Sequence, residues 1–443
     1  MKTEEDLRIQ AAALRDLPKI ELHAHLNGSI RETTLFELAK ERTIQLNNDY
    51  FDTAPSSSTV AEKIVSDHYN DSERPVLIYN KRHRSLQECF DIFSEIGKVI
   101  VDLDAIKRIT REALEDFAKE GVVYLELRST PKRLLPKRQQ CDGSFSLASV
   151  PTDALATKRQ YCEAVIQTII DFRKEEEERY AKDLSDSEKS NPRLPMIASF
   201  IVSVDRSHPI EFGFEHIDLA IELSKEYPGV VVGVDLGGNP LKSSFIDFRD
   251  CFEKARQSGM LSVTLHHAEV PCTDDDQDSV AYKDALAILE FGPNRLGHAL
   301  ILPPSLQQKL LELKIPVETC PTSNVMTTEL VEKSSGGSLV DGVKRHPQLK
   351  QWLENEHPLC ICTDDPGVFD TNATQEFVLR KFETLLVFLI AHDPNDRLSF
   401  LHFSNLLLAL INWNAQLYST RSVWIGGYTV HRNCYERSRF SVH

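Results

Sequence analysis

Residues 21–30 read ELHAHLNGSI, with His23 and His25 two positions apart in an apolar run. In a β-strand, residues i and i+2 share a face, so the two imidazoles are a candidate metal-binding pair. Farther along, HHAE brings His266, His267 and Glu269 together, GHA adds His298, and CTDDPGVF adds Asp364 and Asp365. His23, His25, one of His266 and His267, and Asp364 make three imidazoles and a carboxylate. That donor set suits one Zn²⁺ with a position left for water. Zinc lowers the pKa of a bound water toward neutrality, which makes hydrolysis the expected chemistry.

The elements that must position these groups are short apolar runs, rich in β-branched residues, each ending in polar or turn residues. Eight are legible, at 19–25, 121–130, 196–205, 230–238, 261–269, 294–299, 315–323 and 359–365. Their near-continuous apolar character fits strands buried on both faces, as in parallel sheets. Helical patterns such as DAIKRITREALEDFAKE, FEHIDLAIELSKEY and PSLQQKLLELK lie between them. This alternation predicts a (β/α)₈ TIM barrel, with a doubly wound open sheet as the alternative. No G-x-G-x-x-G follows a strand, which argues against a nucleotide-loop version of that alternative.

A single catalytic domain over 1–443 is expected, interrupted at about 40–84 and 134–195 and closed by an atypical tail at about 413–443 with no helical period. In such a barrel the site lies at the C-terminal strand ends. The clustered histidines and carboxylates fall there, and so do Arg128, Asp205, Asp235 and Cys320. Two-metal hydrolases on this fold usually carry a bridging lysine at the end of the fourth strand. VVVGVDLGGNP has none before Lys242, so one metal per chain is expected.

Composition sets outer limits. The chain has 443 residues, 41% of them hydrophobic, enough for a substantial core. A net charge of −16 argues against nucleic acid or an anionic membrane as a general partner. MKTEEDLRIQ has no apolar signal-peptide core, and no apolar run approaches 18 residues. Nine scattered cysteines read as reduced thiols, so a cytoplasmic monomer acting on a small molecule is expected.

LPKIELHAHLNGSI, H-x-A-E at 266–269, GHA at 297–299, TCPTSNV at 319–325 and CTDDPGVF at 362–369 occur in one order. With these motifs the chain resembles the adenosine/AMP deaminase family of zinc-dependent barrel enzymes, over about residues 19–380. Within it, HLNGS, RSTPKR and VSVDRS are similar to the adenosine deaminase-like branch, which acts on N6-methyl-AMP. The resemblance implies that His23, His25, His266 and Asp364 bind zinc. It implies that Glu269 protonates N1 of the purine, and that His298 orients the attacking water and helps deprotonate it. His25, Asn27, Ser129, Thr130, Pro131, Lys132, Asp205, Gly238 and Asp365 are the expected substrate contacts. Lys132 and Arg133, beside the Ser129 and Thr130 hydroxyls, suit a 5′-phosphate. The expected reaction converts N6-methyl-AMP to IMP and methylamine. Free adenosine is the alternative substrate, and a nucleotide-binding homologue with impaired turnover is a further alternative. The branch often has a histidine late in the helix containing LQECFDIF, where this chain has Gly97 and Lys98.

Overall fold

A computed structural model describes residues 14–15, 17–42, 85–138, 145–186, 192–269, 275–328 and 339–379, with isolated positions 44, 46, 272 and 330. Of the excursion expected at about 40–84, residues 47–84 lie outside the described residues, as does the tail at about 413–443.

Eight parallel strands run in sequence order: β1 (Lys19–His25), β2 (Val122–Ser129), β3 (Ile197–Asp205), β4 (Val231–Gly237), β5 (Ser262–His267), β6 (Arg295–His298), β7 (Val317–Thr319) and β8 (Leu359–Ile361). The ring closes where Ala24 bridges Asp364, with His25 N donating to Asp364 O and Asp364 N donating to His23 O. The architecture is the expected (β/α)₈ barrel.

Helices pack outside the strands because their apolar residues recur at helical spacing. After β1 come α1 (Glu32–Glu41), α2 (Leu86–Val99) and α3 (Leu103–Lys119). On α3, Ile106, Ile109, Ala113, Leu114 and Phe117 are buried, and Asp102 caps its start by accepting from Ala105 N at 2.8 Å. A Ser85–Glu88 capping box opens α2. Of the segment expected at 134–195, Lys158–Ser185 form α4, the helix that returns the chain from β2 to β3. The remaining crossovers use α5 (Ile210–Glu226), α6 (Phe245–Gln257), α7 (Val280–Phe291) and α8 (Pro304–Leu313). α9 (Pro321–Thr327), α10 (Leu339–Val343) and α11 (Leu349–Glu354) lie between β7 and β8, and α12 (Pro366–Phe369) follows β8. No helix among the described residues is long and apolar enough to cross a membrane.

Two strands are shorter than the sequence reading: the run at 359–365 is strand only over Leu359–Ile361, and β7 is cut short by a helix. The run at 315–323 is strand only over Val317–Thr319, and Pro321 then opens α9. Proline at the first helical position gives up an amide that would have no intrahelical partner, and its fixed φ suits a helix start. Thr322 therefore belongs to a helix, and Ser323 and Asn324 turn toward the barrel mouth.

The barrel lumen carries a chain of charge. Arg295 bonds Glu126 and Glu318 at 2.5 Å each, Arg128 bonds Glu318 at 2.8 Å and Asp235 at 3.2 Å, and all are buried. Burial would raise the Glu318 pKa, but Arg128 and Arg295 outweigh it and hold the carboxyl well below its ordinary range. These ion pairs run up to the mouth and become the support of the site.

Candidate active site

Sheet register brings the histidines together. His23 and His25 end β1, and His25 pairs with Arg128 of β2; on β5 and β6, His266 pairs with Gly297 and His267 with His298. Alternation along β5 separates its two histidines. His266 points to the mouth, whereas His267 is buried against α7 with Nε2 3.1 Å from the Ala285 carbonyl oxygen. This geometry selects His266.

The nitrogens and oxygens at the mouth are spaced as ligands around one point. His25 Nε2 lies 3.2 Å from His266 Nε2, and both His23 Nε2 and His25 Nε2 lie 3.4 Å from Asp364 Oδ1. A tetrahedral ion with bonds of about 2.0–2.1 Å requires ligand separations of about 3.3 Å. His23 Nε2 is buried without a hydrogen-bond partner, a state that a metal bond would relieve. The residues thus fit a metal. His298 also approaches: His23, His266, His298 and Asp364 offer atoms within 4.8 Å of one another. His298 Nε2, however, stands farther off, 3.9 Å from Asp364 Oδ2 and 3.8 Å from Glu269 Oε1.

The far side of each ring is held. Glu318 accepts from His23 Nδ1 at 2.8 Å and Asp235 from His266 Nδ1 at 3.0 Å. With the Nδ1 proton engaged, each Nε2 keeps its lone pair for a metal. Ser323 Oγ donates to Asp364 Oδ2 at 2.7 Å, and the Asn324 amide sits 2.9 Å from His298 Nδ1. Burial would raise Asp364, but the imidazoles of His23, His298 and His25 around it hold it well below the carboxylate range. Burial, with the adjacent Asp364, pushes Asp365 well above that range.

The backbone is unusual at the same place. Ala268, His298, Ala299 and Asp364 adopt φ of 54°, 61°, 48° and 65°, left-handed values for non-glycine residues. Such positions cost about 1–3 kcal/mol each and collect at functional sites. Gly297 is required by crowding, since a Cβ there would come within 2.7 Å of His23 Cε1. Gly238 has φ +84°, and a Cβ would overlap Asp205 Oδ1.

A cavity opens over this centre, lined by His25, Asn27, Ser129, Thr130, Lys132, Asp205, Gly238, His266, Glu269, His298, Asp364 and Asp365. His23 lies buried beneath, and Pro131 is buried without lining the cavity. The Ser129 hydroxyl is engaged with Tyr161 OH at 2.7 Å. Lys132 extends at the rim, where desolvation lowers its pKa and Asp205 opposes that shift. Sequence reading gave no site role to Glu318, Ser323, Asn324 or Tyr161, nor to the α2 residues Cys89, Phe90, Phe93, Ile96 and Gly97 that form an apolar wall. Their only sequence signals were a capped amphipathic helix, the TCPTSNV run, and a glutamate inside a strand.

A parallel barrel with a three-histidine, one-carboxylate centre at its C-terminal mouth belongs to the metal-dependent hydrolase class. Residues 61–385 match the family model described as adenosine deaminase, and the chain belongs to that family of hydrolytic deaminases. An Arabidopsis thaliana protein named N6-mAMP deaminase is 35% identical over 380 residues, 83% of this chain and 86% of that protein. A Danio rerio N6-methyl-AMP deaminase is 30% identical, covering 86% of this chain and 87% of that protein. Among solved structures, arabidopsis ADAL complexed with IMP superposes with a TM-score of 0.58 at 33% identity, covering 84% of this chain and 87% of that one.

Proposed function

We propose that the protein removes the 6-amino or 6-methylamino group from a purine nucleoside monophosphate, N6-methyl-AMP above all, with one zinc ion held by His23, His25, His266 and Asp364. The observation that carries this reading is the 3.2–3.4 Å spacing of these atoms beside Glu269 and His298. Zinc bound there would supply a water of near-neutral pKa as the nucleophile.

The chain's own residues account for the rest. Glu269 lines the cavity and donates a proton to purine N1, which makes C6 electrophilic. His298 holds the attacking oxygen and stabilises the charge that develops on it. Asp365, kept protonated by burial and by Asp364, donates to a ring nitrogen such as N7. The Gly238 backbone approaches the other edge of the ring, where a side chain would not fit. Thr130 and Lys132 take the phosphate, and Asn27 and Asp205 are further substrate contacts lining the same cavity. Attack at C6 breaks the C6–N6 bond and releases ammonia or methylamine, leaving IMP. The names of the Arabidopsis and Danio relatives support the choice of N6-methyl-AMP.

The test compares turnover of N6-methyl-AMP, AMP and adenosine by protein of measured zinc content. N6-methyl-AMP should lead with about one zinc per chain; preference for adenosine would overturn the phosphate assignment. Glu269→Gln should retain zinc and lose about 10²–10⁴-fold in kcat. Full activity in that variant would remove Glu269 as proton donor.

A further inference from the structure

Asn324 on α9 is buried between two imidazoles. One polar atom of its amide lies 2.9 Å from His298 Nδ1 and the other 2.9 Å from His346 Nε2. The oxygen and nitrogen of such an amide can exchange places by a flip, so the hydrogen-bond partners decide between them.

His346 makes the decision. Its Nδ1 accepts from Leu349 N at 3.0 Å and from Gln348 N at 3.3 Å, so that nitrogen carries a lone pair. The ring is buried, which pushes its pKa down to about 3, so it is neutral with its proton on Nε2. That N–H can be met only by the amide oxygen of Asn324. Thr319 Oγ1, 3.4 Å from the same amide atom, can be a second donor to it. The amide NH₂ then faces His298 and donates to Nδ1. A neutral imidazole that accepts on Nδ1 bears its hydrogen on Nε2, the atom turned toward Glu269 and Asp364.

We propose that Asn324 and His346 are positioning residues that hold His298 as the Nε2–H tautomer, so that it meets the attacking oxygen as a hydrogen-bond donor, neither a metal ligand nor a proton acceptor. The proposal rests on the deaminase reading above and refines it. An Nε2 that carries hydrogen has no lone pair for a metal, which leaves His25 as the third imidazole of the centre. It also aims a donor at the oxygen on which negative charge develops. The proton-accepting role that the family resemblance implies for His298 does not fit this tautomer.

The test reads the tautomer directly, using the full zinc-loaded chain labelled with ¹⁵N-histidine. His298 signals are assigned by their loss in His298→Gln. The wild type should show His298 Nδ1 with the shift of an unprotonated nitrogen and Nε2 with that of an N–H. A protonated Nδ1 would overturn the proposal.

Asn324→Asp keeps the shape and both contacts but can only accept, so it should switch His298 to the Nδ1–H form. Zinc content and KM should hold while kcat falls about 10–100-fold, the usual effect of disturbing such supporting groups. Unchanged kcat would remove the positioning role, and loss of zinc in His298→Gln would make His298 a ligand. A wild type without zinc or turnover would sink the deaminase reading instead, while its spectrum would still report the tautomer.

Discussion

The strand ends and α2 both line the cavity, and they differ in what holds each side chain in place. On the strand side, His23, His266 and His298 each have a buried partner at Nδ1: Glu318, Asp235 and Asn324. Glu318 is tied to Arg128 and Arg295, Asp235 to Arg128, and Asn324 to His346. On the α2 side, Cys89, Phe90, Phe93 and Ile96 are set by helical spacing and packing. The strand side also carries the left-handed backbone at Ala268, His298, Ala299 and Asp364. The contrast separates two tasks. Chemistry needs atoms fixed to fractions of an ångström, which directional bonds provide, whereas shape selection needs only a dry surface.

The contrast can be broken or sharpened by experiment, starting with the largest effect. His266→Ala should abolish zinc binding and bring turnover to background, read by metal analysis and product release. Retained metal in that variant would mean the strand side tolerates a missing donor. Glu318→Gln comes next. It leaves two buried arginines and the His23 N–H short of a counter-charge, and should lower stability by about 3–5 kcal/mol in chemical denaturation. A small change there would show that the lumen network is not what holds the rings.

Behind the strand side, His216 of α5 is buried with Nδ1 3.2 Å from the Ser203 carbonyl oxygen. Burial, helped by Lys158, lowers its pKa to about 4. The unfolded chain therefore binds this proton at higher pH than the folded one does. Stability is full above about pH 6.5 and falls toward pH 4, by about 3 kcal/mol from this group. His216→Gln should flatten that fall in denaturation curves taken across the range; an unchanged slope would rule the assignment out.

The smallest effect belongs to the helical wall. Gly97 sits inside α2, and a Cβ there meets nothing within 4 Å. Gly97→Ala should raise stability by about 0.5–1 kcal/mol through helix propensity. A rise in KM alongside that gain would show that substrate occupies the space beside Gly97.

Much of the fold was legible because a parallel barrel repeats one signal. Buried strands are continuous apolar runs, and six of the eight fell within two residues of their observed ends. β7 and β8 were read too long, since each is only three residues, and Pro321 opens a helix where extended chain was expected. The site divides in the same way. His23, His25, Glu269, His298, Asp364 and Asp365 stand in short motifs at strand ends, and the barrel rule gathers strand ends at one mouth. Asn324 stands in the TCPTSNV run, but nothing local points it at His298, and Glu318 and His346 reach the centre from stretches that carry no motif of their own.

The sequence alone determined the alternation of strand and helix, the inventory of imidazoles and carboxylates, and the family to which they point. These are properties of local pattern and residue type. The tertiary structure gave the physical ground for His266 over His267, a choice the family resemblance also implies: neighbouring strand residues face opposite ways, and the pleat's direction depends on pairing with β4 and β6. It alone placed α2 against the cavity. It alone enclosed Asn324 between His298 and His346, residues 48 positions apart in the chain. A tautomer depends on the partner of each nitrogen, and those partners are brought together by folding.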